Sequence, residues 1–187
     1  PNPIQHLLIS EVMIDPVGLD AGREWIEIYN PTEQAIDLSN YKLGDAEIAG
    51  RSSSDGMFIF PVGSVIGPNS VIVVAQSALA YFEDHGQKPN FELGNYDPTV
   101  PDLLPYTPWS VGSISLSNTG DQVLLLNPND GIVDVVQWLS TAMPETVPFS
   151  NTLSSGQSLQ RWPYQLDTDN CDVDFRPQPI PSPGKVP

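Results

Sequence analysis

The sequence predicts an all-β fold, a sandwich of short antiparallel strands. Three observations lead there. Twenty prolines among 187 residues are about twice the ordinary abundance of roughly 5%, which favours turns and nearly excludes long helices. Short runs rich in Val, Ile and aromatic residues, the types that suit a pleated strand, recur along the chain. Clusters of Asn, Asp, Gly and Pro separate these runs as turn signals.

The first predicted strand covers residues 7–14. Strict alternation puts Leu7, Ile9, Glu11 and Met13 on one face and Leu8, Ser10, Val12 and Ile14 on the other. Asp15-Pro16 ends it, and a Gly/Asp-rich loop follows to Arg23. Next comes Glu24-Trp25-Ile26-Glu27-Ile28-Tyr29-Asn30. Ile26 and Ile28 share a face with Glu24, while Trp25 and Tyr29 share the other with Glu27. Pro31 has no N–H for a ladder and turns the chain, so residues 36–45 read as the next strand. Residues 46–56, with Ser52-Ser53-Ser54, read as an exposed loop. Residues 57–60 form a short strand stopped by Pro61. Ile66-Gly67-Pro68-Asn69 is a turn, and Val71-Ile72-Val73-Val74 is a β-branched run suited to a strand buried on both faces.

One helix is expected, at 77–85. Ser77 caps it, Leu79 and Phe82 fall at helical spacing beside Tyr81, and Gly86 ends it. It opens a Pro- and aromatic-rich insertion over 77–113, whose irregular part begins at Gln87 and packs over one end of the sandwich. Asn118-Thr119-Gly120-Asp121 is a hairpin-type turn after Ile114–Leu116. Residues 122–126 and 132–138 form the clearest hairpin, and 156–162 the last strand, with Leu159 inward. An acidic and then Pro-rich tail occupies 165–187. The whole chain, 1–187, reads as one domain, large enough for a full core. It starts at Pro1, which reads as a domain cut from a longer precursor.

The formal net charge is −16. Nucleic-acid affinity comes mainly from Lys and Arg releasing counterions, so this surface argues against a nucleic-acid partner. No stretch approaches the ~18 apolar residues of a membrane helix, so direct membrane insertion is not expected. One cysteine, Cys171, rules out an intrachain disulfide. Arg161 is one of only seven bases and is expected to neutralise an acid near the core.

Several of these stretches resemble the lamin tail domain family. They are Ile9-Ser10-Glu11-Val12, Glu24 through Pro31, Ile36 through Asp45, Leu116 through Val123, Asp130-Gly131-Ile132-Val133-Asp134 and Gly156 through Arg161. Asp167-Thr168-Asp169-Asn170 and Pro181-Ser182-Pro183-Gly184 resemble the ends of bacterial members. The resemblance implies an immunoglobulin-like antiparallel β-sandwich with no catalytic centre of its own. It also implies a bacterial, extracellular or cell-surface setting, as a module of a larger exported protein. Its partners would be proteins, cell-surface polymers or neighbouring domains. The alternative is an accessory carbohydrate- or Ca²⁺-binding module linked to a hydrolase.

No catalytic residue is assigned, and no G-x-S-x-G nucleophile motif occurs. Glu24 and Glu27, three apart on a strand, point to opposite faces and make no acid/base pair. Glu11 and Glu27 can face one another across neighbouring strands, where like charges repel without a cation. The favoured reading is that these glutamates hold loops by accepting backbone N–H groups, or pair with Arg23, Lys42 or Arg161. The candidate metal site is Asp167, Asp169, Asn170, Asp172 and Asp174, a dense run of the hard oxygen ligands that suit Ca²⁺. No other cofactor is expected. The candidate ligand surface is Phe91, Tyr96, Tyr106 and Trp109, aromatics gathered in one loop.

Overall fold

The computed structural model describes residues 4–20, 22–50, 54–140 and 142–186. Two sheets face each other. The larger runs β13-β12-β1-β2-β7-β8 and the smaller β11-β10-β4-β5-β9, with a two-stranded ribbon β3-β6 beside them. The larger sheet is built from β1 (Leu8–Met13), β2 (Trp25–Asn30), β7 (Ser70–Ala75), β8 (Phe91–Glu92), β12 (Ser158–Arg161) and β13 (Phe175–Gln178). The smaller contains β4 (Lys42–Gly44), β5 (Met57–Ile59), β9 (Leu104–Pro105), β10 (Asp121–Leu126) and β11 (Ile132–Trp138). The ribbon pairs β3 (Ile36–Asp37) with β6 (Val65–Ile66). Every pairing is antiparallel except β7 with β8.

The main core fills the space between the sheets. Ile26, Ile28, Ile72, Val74 and Leu159 reach it from the larger sheet, and Leu43, Val123, Leu125 and Val136 from the smaller. Part of the larger sheet's outer face is apolar too. There Met13, Trp25, Val73, Ala75 and Tyr81 form a second cluster, which the helix α1 (Ala78–His85) covers. Ser77 caps α1, and Gly86 ends it in the left-handed region at φ 69°. Ala78 and Tyr81 are its buried side chains, while Leu79 and Phe82 are about half exposed.

Strict alternation fails in β1. A bulge between Ile9 and Glu11 shifts the register, so Leu7, Ile9, Val12 and Ile14 all enter the main core. An extra residue flips the face assignment of everything beyond it. The expected single strand over 36–45 is also divided. Asn40 takes φ 68°, and β3 and β4 on either side of it join different sheets. Ile114 and Leu116 are buried but lie outside the strands. Residues 51–53 of the predicted 46–56 loop lie outside the described residues.

The insertion holds more regular structure than its composition suggests. β8 extends the larger sheet and β9 the smaller, so this segment ties one edge of the sandwich together. The tail holds more as well. A short helix α2 (Cys171–Asp174), capped by Asn170, leads into β13, which pairs along β12.

Candidate functional site

Buried carboxyl groups dominate the polar interior. Glu11 and Glu27 are directly opposite across β1 and β2, and both are fully buried. Glu11 accepts from Ser158 Oγ at 2.5 Å, Gln160 Nε2 at 3.3 Å, and both the backbone N–H and hydroxyl of Ser182 at 3.0 Å. Glu27 accepts from Ser10 Oγ and from the backbone N–H of Gly184, each at 2.7 Å. Burial pushes the Glu27 carboxyl up to about 8, with Glu11 adding to the rise.

The same arrangement recurs elsewhere. Glu24 accepts from Leu116 N at 3.0 Å and Gln76 Nε2 at 2.5 Å, and burial lifts it to about 8. Asp45 accepts from Gly56 N at 2.5 Å and Ser115 N at 2.9 Å, and burial lifts it to about 7. Glu92 takes the N–H groups of Ala78, Tyr96 and Asp97. Each acid thus sits on or beside a regular strand and fixes an irregular segment by its backbone. A buried N–H must find an acceptor, and a strand carboxyl supplies one where no ladder can. The expectation that the glutamates hold loops is met. Pairing with the three bases is not: Arg23 joins Glu83 and Asp84, Lys42 joins Asp130, and Arg161 joins Asp134.

The candidate calcium residues do not converge on one point. Asp174 is buried, accepts Thr168 N at 2.8 Å and lies 3.7 Å from Arg161. Asn170 caps α2, and Asp172 accepts the N–H of Ser150 at 2.7 Å. Asp167 lies 3.6 Å from His6 and 3.4 Å from Arg161. Asp169 is exposed, in the left-handed region at φ 55°. Among the described residues no three His, Cys, Asp or Glu side chains are placed to hold one ion. Asp167 and Asp174 turn to Arg161, while Asn170 and Asp172 accept backbone N–H groups.

The four loop aromatics form no common platform either. Phe91 belongs to the main core, edge-on to Phe60 at 5.2 Å. Tyr106 and Trp109 pack on a third cluster around Met57, Leu124 and Met143. The Tyr106 hydroxyl bonds Asp130 at 3.0 Å, and the Trp109 indole N–H donates to Ala46 O at 2.8 Å. Only Tyr96 is mostly exposed, at 56%. Apolar burial outcompetes display in a segment that closes the sandwich edge.

Two open clefts among the described residues hold little chemistry. The larger, about 720 Å³, has amide side chains and one acid, Glu33, and its Thr32 hydroxyl is bonded to Asn30. The smaller, about 220 Å³, is lined by Trp25, His85 and Arg23 among others, without Ser, Thr or Cys. Burial lowers the His85 imidazole, which packs against Tyr81 and Trp25. Cys171 is buried, its thiol pushed up to about 12 by desolvation.

The sheet edges are short or guarded. β13 carries Pro177, β8 and β9 have two residues each, and the end of β11 is bridged by Phe149. Short edges and edge prolines oppose strand addition.

The family model described as Lamin Tail Domain matches residues 1–140. Among solved structures, the chain is similar to a DUF4876 family protein from Bacteroides thetaiotaomicron. The TM-score is 0.67 at 14% identity, covering 98% of this chain and 75% of that one. At this identity the likeness is one of fold. No curated protein sequence matches the chain.

Proposed function

The chain belongs to the lamin tail domain family, and from that membership we propose that it is a non-catalytic structural and interaction module. Its setting is a larger bacterial protein, exported or displayed at the cell surface. There it positions neighbouring domains and meets proteins or surface polymers through its loops and sheet faces, without nucleic acid and without inserting into the membrane.

One observation carries the reading. Five of the buried acids, Glu11, Glu24, Glu27, Asp45 and Glu92, are all occupied in anchoring backbone segments. A hydrolytic pair needs two carboxyl groups flanking an open cleft. Glu11 and Glu27 are instead roofed by the tail, and the space beside Glu24 has no room for a water molecule. The fold fits a domain that spends its buried charge on shape.

Antibody labelling of intact source cells and of their fractions tests the setting. Signal on unbroken cells or in the exported fractions supports the setting, and signal confined to the cytosolic fraction overturns it. Turnover of glycoside, ester or phosphoester substrates by the purified chain, abolished by a substitution at one of these acids, would overturn the non-catalytic assignment.

A further inference from the structure

The outer face of the larger sheet carries a carboxyl pair with no cation beside it among the described residues. Glu11 and Glu27 are register partners with zero exposure, and among the described residues neither joins an ion pair. Like charges directly opposite destabilise a sheet, and a poorly polarisable interior strengthens the repulsion. All their hydrogen-bond partners are neutral donors. Three of these belong to one segment of the tail: Ser182 N, Ser182 Oγ and Gly184 N.

Among the described residues the surroundings supply no compensating charge. From β12 come Ser158 and Gln160, while Arg161 beside them is engaged with Asp134. From β7, Val73 stands opposite Glu27. From α1, Tyr81 feels both carboxyl groups, and its phenol is raised chiefly by burial. His85 lies beyond it, its ring 4.5 Å from that of Tyr81. Lys185 follows Gly184 in the chain and is exposed. The segment itself is well seated. Pro183 is buried, its carbonyl accepts from Gln87 Nε2 at 3.3 Å, and Gly184 takes φ 78°, where a side chain would strain the backbone.

We propose that residues 181–184 form a proton-operated latch, held on the outer face while Glu27 keeps a proton and released when Glu27 loses it. With Glu27 protonated, its carboxyl can donate to Ser10 Oγ and still accept from Gly184 N. Losing that proton leaves a buried charge on Glu27, directly opposite the Glu11 side chain and with no cation beside it among the described residues, and lifting the segment lets water reach it. The closed state keeps the Glu27 proton up to about pH 8, whereas a hydrated glutamate loses it near 4.3. Between those limits each pH unit favours opening by up to about tenfold.

Hydrogen exchange of the Ser182 and Gly184 amides in the full chain tests this, followed by NMR from pH 5.5 to 9 and corrected for intrinsic rates. Protection is expected to fall by up to about tenfold per pH unit towards pH 8 and then level off. In Glu27→Gln the dependence should vanish while the segment stays docked. No slope in the unaltered protein, or an equal slope in the variant, overturns the latch. Should the variant fail to fold, the ¹³Cδ shift of Glu27 in the unaltered protein decides. A midpoint near 8 supports the latch, and one near the ordinary glutamate value overturns it.

Discussion

Arg161 and Asp134 meet at 2.7 Å with their side chains only 1% and 4% exposed. Arg161 also donates to Ile9 O at 3.0 Å and to Leu166 O at 2.7 Å, and lies 4.5 Å over the Phe175 ring. Asp134 in turn accepts the N–H of Ile9 at 2.6 Å. One base thus joins β12 and β1 of the larger sheet to β11 of the smaller and to the tail.

Arg161→Ala should therefore be severely destabilising. It leaves Asp134 buried without its counter-ion, and removing one partner of a buried pair costs about 3–5 kcal/mol. Urea unfolding of the two proteins measures the loss. An unchanged midpoint would contradict the role given to Arg161.

The loop aromatics should separate in the same assay. Trp109 is partly buried and its indole N–H is bonded, so Trp109→Ala should cost on the order of 2 kcal/mol, below the 3–5 of a fully buried ring. Tyr96 is mostly exposed, and Tyr96→Ala should stay within about 0.5 kcal/mol. Equal effects would mean that Trp109 is not packed against the third cluster.

Millimolar Ca²⁺ should leave the melting temperature unchanged relative to EDTA at matched ionic strength. A ligand that binds the folded state must raise its stability by mass action, and the acids at 167–174 are turned to separate tasks. A rise with Ca²⁺ that Mg²⁺ does not reproduce would show that the tail rearranges around an ion.

The strands were legible where side chains alternate or branch. The two-sided burial of Val71-Ile72-Val73-Val74 and the Ile26/Trp25 division of faces follow from local chemistry alone, as do the Ser77 and Gly86 caps. The bulge at Ser10 was not legible, because nothing in Ile9-Ser10-Glu11 marks an extra residue until Glu27 is set opposite Glu11. β13 was hidden by Pro177, which only an edge strand tolerates. Proximity in sequence suggested a metal site at 167–174, yet Asp167 and Asp174 turn to Arg161, a cation that a sequence does not place beside them. The Glu11–Glu27 pair was readable as a possibility. Its roof of Ser182 and Gly184 lies more than 150 residues away from it, beyond any local signal.

The central claim is that the buried acids serve the fold, and the pH dependence of stability tests it most directly. Glu24 and Glu27 are raised to about 8 and Asp45 to about 7, all by burial. A carboxyl group raised on folding keeps a proton that the unfolded chain has lost, so its stabilisation is complete below the unfolded value and disappears as pH climbs to the folded one. Asp97, lowered to about 2 by Lys88 and Thr99, works the other way, but only below about pH 4. From pH 5 to pH 9 the three raised acids should outweigh His85, which burial lowers and which opposes them only up to about pH 6.5. Urea unfolding across that range should show stability falling by at least about 2 kcal/mol, most of it before pH 8. A flat or rising profile would mean that these carboxyl groups are ionised and hydrated in the folded protein, contradicting their role as buried anchors of its loops.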